Sequence, residues 1–377
     1  MIDENKLKEF YKGKKVLITG HTGFKGSWMC RVLKVLGADV YGYALKPPTN
    51  PSLFETLCIA DDIHNYEGDV RDLPGLLHVF STVKPEIVIH MAAQPLVRES
   101  YKDPVGTYSS NVMGTVNVLE CCRICDSVIS AVNVTTDKVY RNNEQDEGYI
   151  ETDYLDGYDP YSNSKSCSEL VTHSYVQSFF SNENMNPDGV HNRILPVSTC
   201  RAGNVIGGGD FALDRIIPDC FRAAQNHEDI IVRNPYSTRP YEHVLEPVFT
   251  YLMVAMEQSF DKKLASNYNV GPDDESCVTT GQLVNKFCDA WNMTQVSYGL
   301  SNDDDIKWIN KHDGGPHEAG FLKLNCNKLK STFDWKPTWN IDDTITKTVE
   351  WYSEYMHDGN IMDVTDKQIK EFMEGNN

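Results

Sequence analysis

The residues with the clearest catalytic chemistry begin with a tyrosine and a lysine in one short run. Tyr161-Ser-Asn-Ser-Lys165 places a phenol and an ammonium at i,i+4 spacing, so both side chains lie on the same face of a helix. A phenol has a reference pKa of about 10 and is a poor base at neutral pH, but nearby positive charge stabilises the phenolate and lowers that pKa. Because this spacing occurs in many helices, the pair indicates proton transfer only together with other motifs.

A second polar run follows a predicted β-strand at Val128 to Thr135. It reads Val134-Thr-Thr-Asp137-Lys138. The carboxyl ends of parallel strands line the ligand crevice of an open α/β sheet, so side chains there face the substrate. Thr136 offers a hydroxyl to a reacting hydroxyl group, and Asp137 and Lys138 give one proton donor and one proton acceptor. The alternative is an ordinary turn with solvated charges.

A glycine-rich turn connects a predicted strand at residues 15–19 to a predicted helix. It has G-x-x-G-x-x-G spacing, which permits a tight turn and close approach of the backbone to a pyrophosphate. We therefore predict a dinucleotide site formed by Gly20, His21, Gly23, Phe24, Lys25 and Gly26, with Asp69 and Val70 near the adenine end. The second strand is followed by Lys46 and lacks the acidic residue that usually binds the ribose of NAD. These residues therefore do not decide between NAD and NADP as the cofactor.

The elements that position these motifs alternate between strand and helix patterns. Strands are expected at residues 15–19, 39–44 and 87–92, and helices at about 107–125 and 160–180. This alternation predicts a parallel sheet covered on both faces. Past residue 181 the pattern becomes mixed α+β, and a helix at about 341–356 precedes a charged tail that we expect to be frayed.

Composition excludes several classes of partner. The 377 residues include 54 acidic and 35 basic residues, for a formal charge of −19, which argues against nucleic acids and anionic membranes. The N-terminus has no apolar signal region, and no apolar run approaches the roughly 20 residues of a membrane span. Cys121, Cys122 and Cys125 lack a second ligand pair, so we expect reduced thiols, no metal and a cytoplasmic location.

Together, the run from Thr19 to Ser27, the Thr-Thr-Asp-Lys run and the Tyr161–Lys165 pair resemble an extended short-chain dehydrogenase/reductase. Within that superfamily the chain resembles the CDP-glucose 4,6-dehydratase family over roughly residues 13 to 355. The resemblance implies a Rossmann-type, doubly wound parallel sheet with a smaller mixed α+β substrate domain. We expect an NAD-binding domain at 1–194, with 236–262 returning to it, a sugar-nucleotide domain at 195–235 and 263–360, and a charged tail at 361–377.

The resemblance also implies a reaction, with CDP-glucose as substrate and tightly held NAD as cofactor. Tyr161, aided by Lys165 and the oxidised nicotinamide, takes the 4-hydroxyl proton as hydride leaves C4. Asp137 then protonates the departing 6-hydroxyl, and hydride returns to C6. Related dTDP-glucose dehydratases have Glu at the position of Lys138. Lys138 is therefore either a neutral base for the C5 proton or a cation that stabilises the enolate, and both roles stay open.

Further site residues are carried over from the family. Asn111 resembles the asparagine that supports Lys165 through water. Asn204 and Arg239 match positions that bind the substrate diphosphate, where an arginine fork suits phosphate oxygens. Two residues, Ala92 and Ala93, complete the expected cofactor site, and the remaining expected substrate contacts are Gln94, Arg201, Arg233 and His317.

Departures and rival interpretations remain. Tyr241-Glu242 stands where we would expect Trp-Gln, which puts sugar or base selectivity in doubt. Residues 207–210 are either a nucleotide pocket or a simple turn. An epimerase or decarboxylase of the same superfamily would need no acid near the 6-hydroxyl, and a non-catalytic NAD(P) sensor typically lacks the Tyr–Lys pair. Superfamily members usually dimerise through helices corresponding to about 107–125 and 160–180, so the resemblance implies a homodimer, with a dimer of dimers as the larger alternative.

Overall fold

The structure is a computed structural model that describes residues 3–181, 193–299, 305–311 and 320–375. Its strands are β1 (Lys15–Thr19), β2 (Asp39–Ala44), β3 (His64–Glu67), β4 (Ile87–His90), β5 (Ser130–Thr136), β6 (Val197–Ala202), β7 (Asn204–Ile206), β8 (Ile230–Val232), β9 (Thr238–His243), β10 (Asn267–Val270), β11 (Cys277–Thr279) and β12 (Trp308–Asn310).

The helices of the first half are α1 (Glu4–Tyr11), α2 (Phe24–Val35), α3 (Leu53–Thr56), α4 (Ile59–Asp62), α5 (Leu73–Val83), α6 (Val97–Lys102), α7 (Pro104–Tyr108), α8 (Gly114–Ile124) and α9 (Pro160–Tyr175). Those of the second half are α10 (Ile216–Gln225), α11 (Leu245–Phe260), α12 (Thr280–Ser297), α13 (Asn327–Phe333), α14 (Ile341–Met356) and α15 (Ile361–Glu374). Short π-helical segments at Ser109–Met113 and Val176–Phe180 continue the helices predicted at 107–125 and 160–180.

The main sheet has seven strands in the order β10-β6-β5-β4-β1-β2-β3, and every pairing in it is parallel. The strand order reverses between β1 and β4, which is where open α/β sheets bind ligands. A three-stranded sheet, β11-β9-β7, and a two-stranded sheet, β12-β8, lie in the second half. The predicted Rossmann-type fold with a smaller mixed part is confirmed; the proposed domain boundaries stay predictions.

The sheet is buried because helices cover both of its faces. All seven residues of β5 are buried, and so are Val16, Leu17 and Ile18 of β1. One apolar cluster includes Trp28 and Leu33 of α2 with much of α11, and the other includes residues of α5 and α8. The central strands β1 and β4 therefore read as nearly continuous apolar runs, as expected for a parallel sheet with two covered faces.

The C-terminal segment differs from our expectation of a frayed, charged tail. Residues Ile361–Glu374 form α15, whose buried side chains include Val364, Ile369 and Phe372. Phe372 stacks on Phe249 of α11 at a ring-centroid distance of 5.0 Å. The charged residues of this segment lie on one helical face and the apolar residues on the other, so composition alone concealed an amphipathic helix.

In the described part of the chain, no helix is both long enough and apolar enough to cross a membrane.

Candidate active site

The glycine turn is shaped by two close backbone approaches. Gly20 has a φ of +79°, and a Cβ there would lie 2.7 Å from Cα of Ala92. A Cβ on Gly26 would lie 2.2 Å from the carbonyl oxygen of Gly20. Side chains at these positions would fill the space between β1, α2 and the end of β4. Gly20 and Gly26 therefore allow the turn to pack closely on β4 and α2, while a Cβ on Gly23 would meet only the Gly20 carbonyl oxygen, at 3.5 Å. The backbone at Gly23, just before α2, is thus the part of the turn that a pyrophosphate can approach.

The His21 side chain is turned away from this surface. It is fully buried, and its Nε2 lies 2.8 Å from Oδ1 of Asn65 on β3. A Cβ on Gly42 would overlap its ring at 2.4 Å, and burial lowers the pKa of His21. The side chain of His21 therefore points away from the turn surface, and the expected cofactor contact of His21 stays a prediction for its backbone. Phe24 is half-buried at the first position of α2.

The two residues expected near the adenine end follow β3. The Asp69 carboxylate accepts hydrogen bonds from Nε of Arg71 at 3.0 and 2.9 Å, and Arg71 lowers the pKa of Asp69. Val70 is buried, and a Cβ on Gly114 would lie 2.7 Å from its Cγ2. Both residues lie beyond the carboxyl end of β3, and their contact with a cofactor stays a prediction.

The predicted catalytic residues come together at the end of β5. Asp137 is fully buried, and its Oδ1 accepts hydrogen bonds from Oγ1 of Thr136 at 2.9 Å and from Nζ of Lys138 at 3.2 Å. Its Oδ2 is buried without a partner among the described residues. Thr136 also hydrogen-bonds Tyr161, and Lys138 Nζ lies 3.4 Å from Oδ1 of Asn204. The acid, the phenol and an expected substrate residue therefore share one site.

The groups that lower the pKa of Tyr161 are not the ones that we expected, since Lys165 is not among them. Burial raises the pKa of Tyr161, while the charge of Lys138, a hydrogen bond with Thr136 and the charge of Arg215 lower it. Lys165 is buried, and its Nζ donates to the Val134 carbonyl at 3.0 Å. Burial and the neighbouring Lys25 lower the pKa of Lys165 to about 8. In the protein alone, burial outweighs the cations around the phenol.

Lys25 reaches from the glycine turn towards the catalytic residues. Its Nζ donates to the Tyr251 hydroxyl at 3.1 Å. Burial lowers the pKa of Lys25 to about 8, against the opposing charges of Glu242 and Asp137. A side chain of the predicted dinucleotide site is therefore also influenced by the carboxyls of the candidate active site.

Of the expected substrate arginines, Arg201 does not face a substrate. It is 1% exposed, and its guanidinium binds Oε2 of Glu169 at 2.8 Å, the Tyr140 hydroxyl at 2.8 Å and the Glu151 carbonyl at 2.9 Å. The prediction for Arg201 is wrong, because a buried arginine needs a fixed counter-charge and Glu169 supplies it.

The other arginines lie on the second half of the chain. Arg239 is mostly buried on β9 and donates to the Thr238 carbonyl at 2.8 Å. Arg233 is half-buried and pairs with Asp214 at 2.9 Å and Asp219 at 3.5 Å. Their contacts with a substrate stay predictions. His317 lies outside the described residues.

Gln94 and Asn111 bind each other. The Asn111 side chain accepts from the Gln94 backbone N–H at 2.8 Å and donates to its carbonyl at 3.0 Å and to Oγ of Ser164 at 2.8 Å. The Gln94 amide donates to the Leu96 carbonyl at 3.1 Å and to Thr107 at 2.9 Å. The Gln94 side chain thus fixes its own loop, and its contact with a substrate stays a prediction. Ala92 and Ala93 precede this loop, and a water-mediated role for Asn111 stays a prediction.

Arg215 is a functional residue that our sequence analysis missed. It precedes α10, pairs with Asp210 at 3.0 Å and acts on the pKa of Tyr161 and Lys25. The sequence feature that could have identified Arg215 is its position after the Gly207–Gly209 run and just before a helix. That run is a packed turn, since a Cβ on Gly208 would lie 2.0 Å from the Trp351 ring. Among the described residues, no three His, Cys, Asp or Glu side chains are grouped to hold a metal ion.

Several known enzymes resemble this chain in sequence or in fold. A curated relative, the CDP-glucose 4,6-dehydratase of Salmonella typhimurium, is 43% identical over 374 residues, which is 99% of both chains. The structure of dTDP-glucose 4,6-dehydratase from Bacillus anthracis in complex with NAD has a TM-score of 0.71 at 20% identity, covering 93% of this chain and 100% of that one. UDP-glucose 4-epimerase of Thermus thermophilus with NAD also has a TM-score of 0.71, at 23% identity, covering 90% and 98%.

The fold and the Tyr–Lys–Asp site define a class, the sugar-nucleotide enzymes built on a Rossmann-type sheet. The chain belongs to the GDP-mannose 4,6-dehydratase family, whose model matches residues 17–348. This confirms the resemblance to extended short-chain dehydrogenases/reductases and the expected enzyme class, a sugar-nucleotide 4,6-dehydratase. A non-catalytic sensor on this fold is no longer an alternative.

Proposed function

We propose that the protein is an NAD-dependent CDP-glucose 4,6-dehydratase that forms CDP-4-dehydro-6-deoxy-D-glucose and water. The observation that carries this proposal is the fully buried acid Asp137, hydrogen-bonded to Thr136 and Lys138 beside Tyr161. The relative with 43% identity over 99% of both chains supports CDP-glucose as the substrate.

NAD is the cofactor, in agreement with the sequence-based expectation, and the residues of the turn fit it. Gly20 and Gly26 allow the close packing of the turn on β4 and α2, and Gly23 leaves the backbone before the N-terminus of α2 open to the pyrophosphate. When bound, NAD accepts hydride from C4 of the sugar and returns it to C6. That the cofactor stays tightly held through each turnover is part of the proposal.

The residues around β5 divide the proton transfers. Tyr161 takes the 4-hydroxyl proton, and Thr136, which hydrogen-bonds Tyr161, orients that hydroxyl. The resulting 4-ketone acidifies the C5 proton. Asp137 gives its proton to the 6-hydroxyl as the C6–O bond breaks, the C5 proton is removed, and water leaves. Lys165 supports Tyr161 from the same face of α9.

Two roles for Lys138 remain open in this scheme. Its Nζ lies 3.2 Å from Asp137 and 3.4 Å from Asn204, so it reaches the acid as well as the substrate side. As a neutral amine it would remove the C5 proton, and as a cation it would stabilise the enolate. We would measure C5-deuterium exchange in Lys138→Ala: loss of exchange supports the base, and undiminished exchange excludes it.

The substrate test compares four nucleotide sugars. Purified protein is incubated with CDP-, dTDP-, UDP- or GDP-glucose, and 4-keto product absorbance and product mass are recorded. We expect a 4-keto product lighter than its substrate by one water, with CDP-glucose preferred. A product of unchanged mass would indicate the alternative, a 4-epimerase, and efficient turnover of another nucleotide sugar would overturn the base assignment.

We also propose a homodimer formed through α7, α8 and α9, with a dimer of dimers as the larger alternative. Exposed apolar side chains on these helices and on the π-helical segment between α7 and α8 support it: Val105 is 78% exposed, Met113 49%, Ile124 52% and Leu170 55%. Leu170→Glu should shift the mass measured by light scattering from dimer to monomer. An unchanged mass would contradict this interface. The cytoplasmic location stays a prediction.

A further inference from the structure

The helix that carries Tyr161 and Lys165 is held on the sheet by polar side chains. The buried residues of α9 are all polar: Ser162, Ser164, Lys165, Ser166, Ser168, Glu169 and Thr172. A helix that covers a sheet normally presents an apolar stripe to it, and apolar contact is non-directional. Hydrogen bonds restrict both distance and angle, and buried polar groups need them, so a polar contact fixes the helix in one position.

Three consecutive residues of β5 supply hydrogen-bond partners for this helix. The Asn133 amide donates to Ser168 at 3.0 Å and to Thr172 at 2.8 Å, Lys165 donates to the Val134 carbonyl at 3.0 Å, and the Thr135 hydroxyl donates to Glu169. The bonded residues of α9 recur at i, i+3, i+4 and i+7, and one turn earlier the same face carries Tyr161. After Thr135 the chain continues to Thr136 and Asp137, so both sides of the contact lead to proposed reacting groups.

Glu169 is the anchor of this contact with partners on both carboxyl oxygens. Its Oε1 accepts from Thr135, and its Oε2 accepts from Thr199 at 2.7 Å and from Arg201 at 2.8 Å. Oδ1 of Asn133, in contrast, is buried without a partner among the described residues. A buried carboxylate with a counter-charge and further donors cannot move without leaving a polar group unpaired. Glu169 therefore fixes α9 on the sheet more firmly than Asn133 does.

The hydrogen bond of Thr135 lies one residue before the proposed reacting groups of β5. The Thr136 hydroxyl bonds Asp137 at 2.9 Å and also hydrogen-bonds Tyr161. A change in the distance between strand and helix at Thr135 would therefore move the acid and the phenol relative to each other. Misplacement of a reacting group by about 1 Å can cost about 10²-fold in rate.

We propose that Thr135 is a positioning residue: its hydrogen bond to Glu169 holds the end of β5 at a fixed distance from the reacting residues of α9. This inference rests on the proposed function, since it concerns the same reaction. Thr135 is 5% exposed and acts through Glu169. Loss of its hydroxyl should therefore lower kcat and leave binding of the nucleotide sugar unchanged.

Three variants test this inference. Thr135→Val keeps the size of the side chain and removes its hydroxyl, and Thr135→Ser keeps the hydroxyl. Thr199→Val is the matched control, because Thr199 is also buried and donates to the same carboxyl group, but from β6 and not from the strand that leads to Asp137. For each protein we would measure kcat and KM for CDP-glucose and the temperature of thermal unfolding.

In Thr135→Val, kcat should fall by about 10- to 100-fold, while KM changes by less than about twofold. Thr135→Ser should recover most of the lost kcat. Thr199→Val should lower the unfolding temperature about as much as Thr135→Val does, and it should keep the wild-type kcat.

Three results would overturn the inference: a wild-type kcat in Thr135→Val, a raised KM at unchanged kcat in that variant, or an equal loss of kcat in Thr199→Val. The last result would show that lowered stability alone explains the loss. If the wild type converts another of the four nucleotide sugars, the same comparison is made with that sugar. A wild type that converts none of them would refute the proposed function, and this inference with it.

Discussion

The Tyr161 hydroxyl lies where two positive side chains and one hydrogen bond act against the cost of burial. Burial raises the pKa of the phenol, and Lys138, Thr136 and Arg215 lower it. In the protein alone the neutral phenol is therefore favoured. Additional positive charge from the oxidised cofactor would shift this balance towards phenolate, so proton removal is coupled to cofactor binding.

Substituting Tyr161 by Phe removes the proton acceptor and leaves the ring in place. We expect kcat to fall by about 10²–10⁴, the usual contribution of a positioned acid or base. Turnover of CDP-glucose and binding of NAD would be measured together. Tyr154→Phe, which changes a side chain 69% exposed, is the control. Full activity in Tyr161→Phe would show that another group takes the proton.

The sequence-based predictions succeeded where the pattern was local. The glycine turn, the strands before it and after it, and the Tyr161–Lys165 pair each lie within one or two adjacent elements. Arg201 failed because its partner Glu169 lies on a different element, and no local pattern reveals a buried ion pair. Arg215 was missed for the same reason: its influence on Tyr161 exists only after folding.

The buried pair between β6 and α9 gives a prediction about stability. Arg201→Met leaves Glu169 buried without its counter-charge, which should lower the free energy of unfolding by about 3–5 kcal/mol. KM for the nucleotide sugar should stay unchanged in the folded fraction. Urea unfolding and KM are measured side by side with Arg239→Met, for which we expect a raised KM. A raised KM in Arg201→Met at unchanged stability would restore its substrate role.

Glu246 at the start of α11 gives a prediction about pH. Burial raises its pKa to about 8 from an ordinary value of 4.5, although the backbones of Thr338 and Trp339 donate to it. Between these values the folded state binds more protons than the unfolded state, so this group's contribution to stability is lost as pH rises. The slope reaches roughly 1.4 kcal/mol per pH unit at most.

Urea unfolding of wild type and Glu246→Gln from about pH 5 to about pH 7.5 measures this contribution. The wild type should lose stability relative to the variant as pH increases, because glutamine does not titrate. A constant difference between the two proteins across this range would show that Glu246 is ionised in the folded state.

On the scale of the whole molecule, a chain of formal charge −19 gathers cations at one edge of its sheet. Lys25 and Arg215 influence each other, Lys25 acts on Lys165, and Lys138 and Arg215 act on Tyr161. These four cations come from four separate parts of the chain. A positive site within an acidic protein concentrates the field where an anionic nucleotide must bind.

The last helix, α15, packs against helices from earlier parts of the chain. Asp366 pairs with Arg31 of α2, the helix that begins at the glycine turn. The Phe372 ring stacks on that of Phe249, and its centroid lies 5.1 Å from that of Trp339. The segment whose composition indicated a tail is thus attached to the core and to the helix that follows the glycine turn.

Phe372→Ala measures how much this attachment stabilises the whole protein. Phe372 is fully buried, so its truncation should cost about 3–5 kcal/mol of unfolding free energy, from lost burial and the cavity that remains. Lys370→Ala on the exposed face of the same helix should change stability by about 0.5 kcal/mol or less. Equal effects of the two substitutions would mean that α15 is not packed in solution. A large loss of unfolding free energy confined to Phe372→Ala would show that the packing of α15 stabilises the whole enzyme.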